Sequence, residues 1–591
     1  MRLGLLMLWC VDDRGVALGL ADRQTRFDDA ALLLGDELRV GGVYRLLAVH
    51  GDRLFGDGYF ADLFTRSRLG RPTIPARTIA TVMLLQAHEG LSDREACDRL
   101  AFDLRWKAAA GLPVGSGSFH PTVLVGVRNR LRASERPRRL FEDVNATARA
   151  AGLLTGRRRV LDSTPLLDAV ATQDTVTQLR AAIRRLLMIA DQHDGGLAAA
   201  VRAVLARDDE YATVGKPPCD WDDRAAREAL VDALVRDAHA SLLVLDGREL
   251  AGALAEAAEL LALVAGQDVE QGEDGVFRIA RRVARDRVIS TVDPEARHGH
   301  KSRARTFDGY KTHLAVDPDD ELITNVTVTG ANAADRDVID DLLDESDRAD
   351  HADAAARDVK PEPDNDNDGD DGDATVDGDG VDGVDRVDGD GVDGDGVDGD
   401  SGEDAAPVTV LGDSAYADGA TLDKLAGAGH KVFAKVPPVR NAKGYSKDRF
   451  GVDLDAGTVG CPAGQTAPIR VRRGGGGIAS FTPWCGDCPL RPACTTAPAG
   501  RVITIHPHEA RLQQAKTAQR DPDWQQAYRA TRPIVERKIA HFTRRPWGGR
   551  KARTRGQARI LTDVIARAGA INLARLASLG LHHQPGGWAI A

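Results

Sequence analysis

Nothing in these 591 residues approaches the roughly 18 consecutive apolar residues of a membrane-spanning helix, so no membrane partner is expected. The apolar stretch Leu3–Val11 follows a basic residue. Asp12 and Asp13 come next, however, and no small-residue cleavage site follows, which speaks against an export signal. Cysteine is scarce. Seven residues, four of them clustered, do not make a secreted disulfide framework, and a reducing cytoplasmic setting is the expectation. Acid is missing where base is densest: from Arg537 to Thr562 there are nine Lys/Arg and no Asp or Glu.

The chain as a whole is nonetheless acidic, at −11. Between Asp344 and Ala405 stand 25 Asp/Glu and 4 Lys/Arg, a local charge of −21, which leaves +10 on the remainder. That tract is built of Asp-Gly-Val repeats and is too polar and self-repelling to bury a core, so disorder is expected. Its Asp364–Gly369 segment resembles half a calcium loop but has Thr375 where a bidentate Glu belongs. A basic folded part points to a polyanionic partner such as nucleic acid.

Residues 1–50 offer short apolar patches between Gly and Asp turns and suggest a small β-rich piece. Helical spacing begins near Ile74. Ser92 and Glu95 form a capping box for a second helix. A third opens near Pro121 and carries Arg128, Arg130 and Arg132. Helices followed by an Arg-rich helix suggest a helix-turn-helix module, although a helical bundle with a solvated basic face fits as well. Leu and Ala recur at three-to-four spacing through 176–265, which predicts packed amphipathic helices. Residues 309–328 alternate on both sides of a Pro318-Asp319-Asp320 turn and predict an antiparallel pair. A strand ending at Asp413, a helix over 419–428 and a strand over 431–436 follow. Strand, hairpin, strand, helix, strand and a final long helix make an α/β class with a mixed sheet and flanking helices.

Three acids stand out. Asp162 ends the run Val160-Leu161, and Asp413 ends Val408-Thr409-Val410-Leu411-Gly412. Glu536 lies in helical sequence four residues after Arg532, on the same helix face. Each of the first two, taken singly, reads equally well as a strand-end turn cap. Together, two strand-end carboxylates and a helical one suit a pair of hard divalent ions that clamp the oxygens of a phosphoryl transfer. Cys461, Cys485, Cys488 and Cys494 are spaced C-x23-C-x2-C-x5-C among Gly and Pro, which suggests a structural Zn²⁺ knuckle; reduced thiols in a loop are the alternative. Cys10, Cys97 and Cys219 are isolated.

These motifs resemble an insertion-sequence transposase of the DDE class with a ribonuclease-H-like core, most similar to the group numbered eleven eighty-two. The resemblance rests on Gly70-Arg71-Pro72, Gly90–Glu95, Leu161-Asp162-Ser163-Thr164, Gly309–His313, Gly330–Asp335, Gly412–Tyr416, the Cys-rich stretch, Arg532-x3-Glu536 and Asn572–Leu576. It implies that Asp162, Asp413 and Glu536 are catalytic and hold two Mg²⁺ (or Mn²⁺). It also implies that the chain cuts and joins DNA at terminal inverted repeats and target sites, as a synaptic homodimer. Arg128, Arg130, Arg132, Arg532, Arg544, Arg550, Lys551, Arg553 and Arg555 are the expected DNA contacts. Related transposases carry a Tyr three before the Arg and a Lys seven after the Glu. Here those positions hold Arg529 and Thr543, with Tyr528 and Arg544 one residue away.

The expected organisation is a 1–54 extension, a 55–150 helical DNA-binding domain, and a first catalytic part at 151–343 with its helical insertion at 176–265. The acidic insertion at 344–405 follows, then a second catalytic part at 406–460, a Cys-rich piece at 461–500, and catalytic and basic helices at 501–591. A nuclease of the same fold, or an inactive DNA-binding copy, are the alternatives.

Overall fold

The computed structural model describes residues 19, 27–64, 73–168, 170–207, 211–281, 284, 286–302, 305–344, 407–441, 444–544 and 549–591. The acidic tract with its calcium-like segment, Gly70-Arg71-Pro72, Cys10 and Arg545 lie outside the described residues.

The sheet grows from β1 (Arg158–Leu167), whose Val160 and Leu161 are fully buried. A small hairpin, β2 (Val269–Gln271) with β3 (Phe277–Ile279), precedes β4 (Arg297–Ser302), β5 (Arg305–Asp317) and β6 (Leu322–Gly330). After the acidic tract come β7 (Thr409–Gly412) and β8 (Lys431–Ala434). The order is β4-β5-β1-β7-β8, with β6 also on β5. β5 runs antiparallel to both β1 and β6, as the alternation predicts, while β1, β7 and β8 are mutually parallel. Antiparallel strands continued by parallel ones give a mixed α/β sheet, consistent with the ribonuclease-H-like expectation. Both faces of the sheet are covered, so successive residues such as Val160 and Leu161 of β1, or Leu314, Ala315 and Val316 of β5, are buried on opposite faces.

On one face lie helices Pro522–Phe542 and Gln557–Ser578, which bury Val535, Ile539, Phe542, Val564, Ile565 and Ala568 against Val160, Leu314 and Val316. On the other, Leu161, Ala315 and Val410 meet Tyr416, Leu422 and Leu425. Helix Gln557–Ser578 continues past the sheet. Its Leu573 and Leu576 enter the core formed by helices Val43–Leu54, Ala76–Glu89, Asp93–Phe102, Thr122–Ala133 and Arg139–Ala150. The Ser92/Glu95 capping box is present.

Residues 30–54 correct the β-rich expectation. Ala30–Leu34 and Val43–Leu54 are helices, and Val43, Leu46, Leu47 and Leu54 follow a helical period that the intervening Gly residues obscure. Residues 175–266 form four helices around their own core, as the periodicity predicts. Among the described residues no helix is long and apolar enough to cross a membrane.

Candidate active site

The parallel pairing of β1 with β7 sets Val160 opposite Leu411. Two residues further on stand Asp162 and Asp413, so the register brings both carboxylates to the point where the two strands part. Asp413 follows the last residue of β7, as expected. Asp162 does not end its strand: β1 runs on to Leu167, held by its antiparallel pairing with β5, and only the pairing with β7 stops before Asp162.

Asp413 caps the short 3-10 turn Ser414–Tyr416, accepting from the Ala415 amide at 2.8 Å. Asp162 accepts from the Ser163 amide at 2.8 Å through one oxygen. Its other oxygen accepts from Arg532 Nη2 at 2.6 Å, and Arg532 Nη1 donates to the Leu161 carbonyl at 2.8 Å. Burial pushes the Asp162 carboxyl up to about 6; Arg532 and the Ser163 amide pull back, while Asp413 and Asp335 add repulsion.

Arg532 comes from helix Pro522–Phe542, which crosses the sheet over β1. One turn on, the Glu536 side chain is 63% exposed, with Oε1 3.8 Å from Arg532 Nε. The helical acid thus faces solvent and is linked to Asp162 through one guanidinium. Among the described residues no group of three or more His, Cys, Asp or Glu is drawn together closely enough to hold a metal ion as it stands. The donor chemistry does fit a hard divalent ion: Asp162 feels the negative charge of Asp413 and Asp335, a repulsion that such an ion relieves.

Two tyrosines, Tyr528 and Tyr416, also reach the site, for reasons no local pattern announces. Tyr528, one helical turn before Arg532, donates its hydroxyl to the Gly412 carbonyl at 3.1 Å, directly ahead of Asp413. Its ring stacks on Trp524 at 5.1 Å, which stacks on Phe433 of β8 at 5.6 Å. The offset from the family's tyrosine position therefore does not remove it from the site; spacing of four rather than three keeps it on the Arg532 face. Arg529 instead bonds Gln525 on the outside of the helix, and the Thr543 hydroxyl turns back to the Ile539 carbonyl.

The expected DNA contacts divide. Arg544, Arg550, Lys551, Arg553 and Arg555 are exposed. Lys551 forms a parallel bridge to Leu167, and Ala552 donates to the Leu167 carbonyl at 2.8 Å, so the basic segment continues the far end of β1. Arg553 bonds the Leu91 carbonyl. Arg537 and Lys538, part of the same basic run, are committed to Glu321 in the β5–β6 turn at 2.6 and 3.5 Å. On helix Thr122–Ala133, Arg128 bridges Gln86 and Asp93 and so ties three helices together; Arg130 lies over the Phe64 ring at 4.8 Å, and Arg132 bonds Asn129. A carboxylate holds Arg128, whereas a ring and a neutral amide hold the other two.

The four clustered cysteines are free thiols. They line one cavity of about 30 Å³ together with Phe450, Phe481 and Arg491. Two three-stranded sheets spanning Gly451 to Ile505 support it. The Arg501 amide donates to Cys485 Sγ at 3.4 Å. The thiols share a pocket but do not stand as a closed ligand set.

Three family models match the chain: a transposase domain over residues 43–130, and two transposase DDE domains over 270–358 and 460–577. Glu536, Arg532 and the cysteines fall within a matched stretch, whereas Asp162 and Asp413 lie between the matches. No curated protein and no solved structure matches. The matched domains mark an enzyme of phosphoryl transfer on DNA, a class that uses divalent Mg²⁺ or Mn²⁺.

Proposed function

We propose that this enzyme is the transposase of an insertion sequence, of the kind grouped as eleven eighty-two, and that it cuts and joins DNA at the element's terminal inverted repeats. The observation that carries the reading is the β1–β7 register, with Asp162 and Asp413 where the two strands part and the Arg532/Glu536 helix across them. Asp162, Asp413 and Glu536 would hold the divalent ions. When bound, such ions lower the pKa of an attacking water or hydroxyl and neutralise charge on the leaving oxygen.

The chain's own groups orient and bind. Arg532 fixes the Asp162 carboxylate, and Tyr528 fixes the backbone ahead of Asp413. The exposed bases Arg544, Arg550, Lys551, Arg553 and Arg555 take backbone phosphates, and Arg130 and Arg132 extend that surface. Water first attacks an end phosphodiester and releases a 3′-hydroxyl. That hydroxyl then attacks a target phosphodiester, joining to its phosphorus and releasing a target 3′-hydroxyl. Positioning and charge neutralisation supply the catalysis, with no covalent protein–DNA intermediate. Bringing two element ends together calls for two copies of the chain.

End-labelled inverted-repeat DNA with a target plasmid tests the reading. The unaltered protein yields nicked and joined products with Mg²⁺ or Mn²⁺; Asp413→Asn yields neither. Nicking without joining identifies a nuclease instead. Equal nicking by Asp413→Asn removes the assignment and leaves a DNA-binding protein.

The shared cavity also supports structural zinc on Cys461, Cys485, Cys488 and Cys494. Four thiolates suit a closed site. Protein purified without chelator should carry one zinc per chain by elemental analysis, and lose it in Cys488→Ser.

A further inference from the structure

A further carboxylate and a buried phenol adjoin Asp162 and Asp413. Asp335 opens the 3-10 turn Asp335–Val338 that follows β6. Its Oδ2 accepts the Ser163 hydroxyl at 2.9 Å, and its Oδ1 accepts from Lys311 Nζ at 3.0 Å. Lys311 also donates to the Ala333 carbonyl at 2.7 Å, and His313 Nδ1 stands 3.9 Å from Asp335 Oδ1. Ser163 therefore serves two acids at once, its amide on Asp162 and its hydroxyl on Asp335. Asp335 thus anchors the side chain of the same residue whose amide holds Asp162.

Tyr416 is an independent observation. It is 1% exposed, and its hydroxyl has no hydrogen-bond partner among the described residues. Its ring lies so close against Gly412 that a Cβ there would meet ring carbon Cδ2 at 2.7 Å, which explains the glycine before Asp413. Its 3-10 turn packs on the turn that Asp335 opens. The carboxylates whose charge the phenol feels are Asp335, Asp162 and Asp413, with Arg532 opposing. Buried hydroxyls are almost always paired, so an unpaired one among three acids marks a place for a small polar ligand.

We propose that Asp335 and Tyr416 are positioning residues of the divalent-ion site. The Tyr416 hydroxyl, which no group among the described residues partners, would hydrogen-bond a water of the ion's hydration. Asp335, through Ser163, sets the orientation of Asp162. Partners of this outer kind commonly change metal affinity or activity by about 10–100-fold when removed. The inference rests on the reading of Asp162 and Asp413 as ion ligands.

The test is Mn²⁺ binding by the full chain without DNA, followed by the electron paramagnetic resonance signal of free Mn²⁺. The variants are Tyr416→Phe, Asp335→Asn and, as reference, Asp162→Asn. Nicking against Mg²⁺ concentration is measured alongside, with melting temperature as the control for folding. Tyr416→Phe removes only the unpaired oxygen, so it should melt no lower than the unaltered chain. The expected result is Mn²⁺ affinity weakened by about 10–100-fold in Tyr416→Phe and Asp335→Asn, with nicking recovered at higher Mg²⁺. Unaltered Mn²⁺ binding in both, with loss in Asp162→Asn, overturns this inference and leaves the ion site standing. Unaltered binding in all three overturns the ion site itself, and the inference with it.

Discussion

Asp162 is kept at a cost. Its carboxyl sits at about 6 in the folded chain, above the ordinary carboxylate value, chiefly because burial disfavours the charge. The sign of the linkage follows. Below the ordinary value the group is protonated in both states and contributes nothing; as pH rises towards 6 the unfolded chain ionises first, so folding loses stability. Above that the loss is constant. Asp162→Asn, without metal at pH 7, should therefore stabilise the protein by on the order of 1–3 kcal/mol, a gain that fades towards pH 4. Denaturant melts at the two pH values measure it, and equal stability at both contradicts it. Arg532 makes the opposite case. Its two bonds to Leu161 and Asp162 use separate nitrogens of one planar fork, which a lysine ammonium cannot reproduce. Arg532→Lys should lower nicking by about 10²-fold, the cost of a small misplacement at a proposed ion ligand; a rate within about twofold of the unaltered enzyme would refute that.

Which of these residues are legible in the sequence depends on where their partners lie. Asp162 and Asp413 announce themselves because an apolar run that stops on Asp is a local pattern. Asp335 and Tyr528 matter through remote partners: Ser163 lies 172 residues from the first, and Gly412 lies 116 residues from the second. Tyr416 matters through burial among acids that three separate segments supply. The contacts of Arg128 are remote in the same way: its charge suggests DNA, and in the folded chain Gln86 and Asp93 hold it.

The edge strand β6 shows how a helix can complete a sheet. Ile323 donates its amide to Asn572 Oδ1 at 2.9 Å, and its carbonyl accepts from Asn572 Nδ2 at 2.7 Å. Asn572 also donates to Asn145 Oδ1 at 2.7 Å. The side-chain amide thus stands in for a missing strand and pins helix Gln557–Ser578 to both the sheet and the helical layer. Asn145 Nδ2 also donates to the Ile323 carbonyl at 3.2 Å. Asn572→Leu therefore leaves the buried Ile323 amide and Asn145 Oδ1, rather than that carbonyl, without partners and should cost about 2–4 kcal/mol. Thermal or urea unfolding reports it, and a change below about 0.5 kcal/mol would exclude the role. Helix and hairpin are legible because periodicity is local. The pairing of β1 with β7 is not, because the strands lie about 250 residues apart and only the fold brings Val160 to Leu411.

Charge is distributed over the chain so that the arm from Arg544 to Arg555 is basic while the tract from Asp344 to Ala405 is acidic. If the arm meets phosphates, replacing Arg550, Lys551, Arg553 and Arg555 together with Ala should weaken binding equally for specific and random DNA. The slope of log affinity against log salt should fall by about 0.9 for each phosphate no longer neutralised. An unchanged slope would assign DNA binding to another surface.

The proposed function requires Asp162 and Asp413 to share a divalent ion. Anomalous diffraction from crystals grown with Mn²⁺ tests that directly. A manganese peak within about 2.0–2.2 Å of oxygens from both carboxylates is the predicted result. Manganese bound elsewhere, in a protein that still nicks DNA, would contradict it.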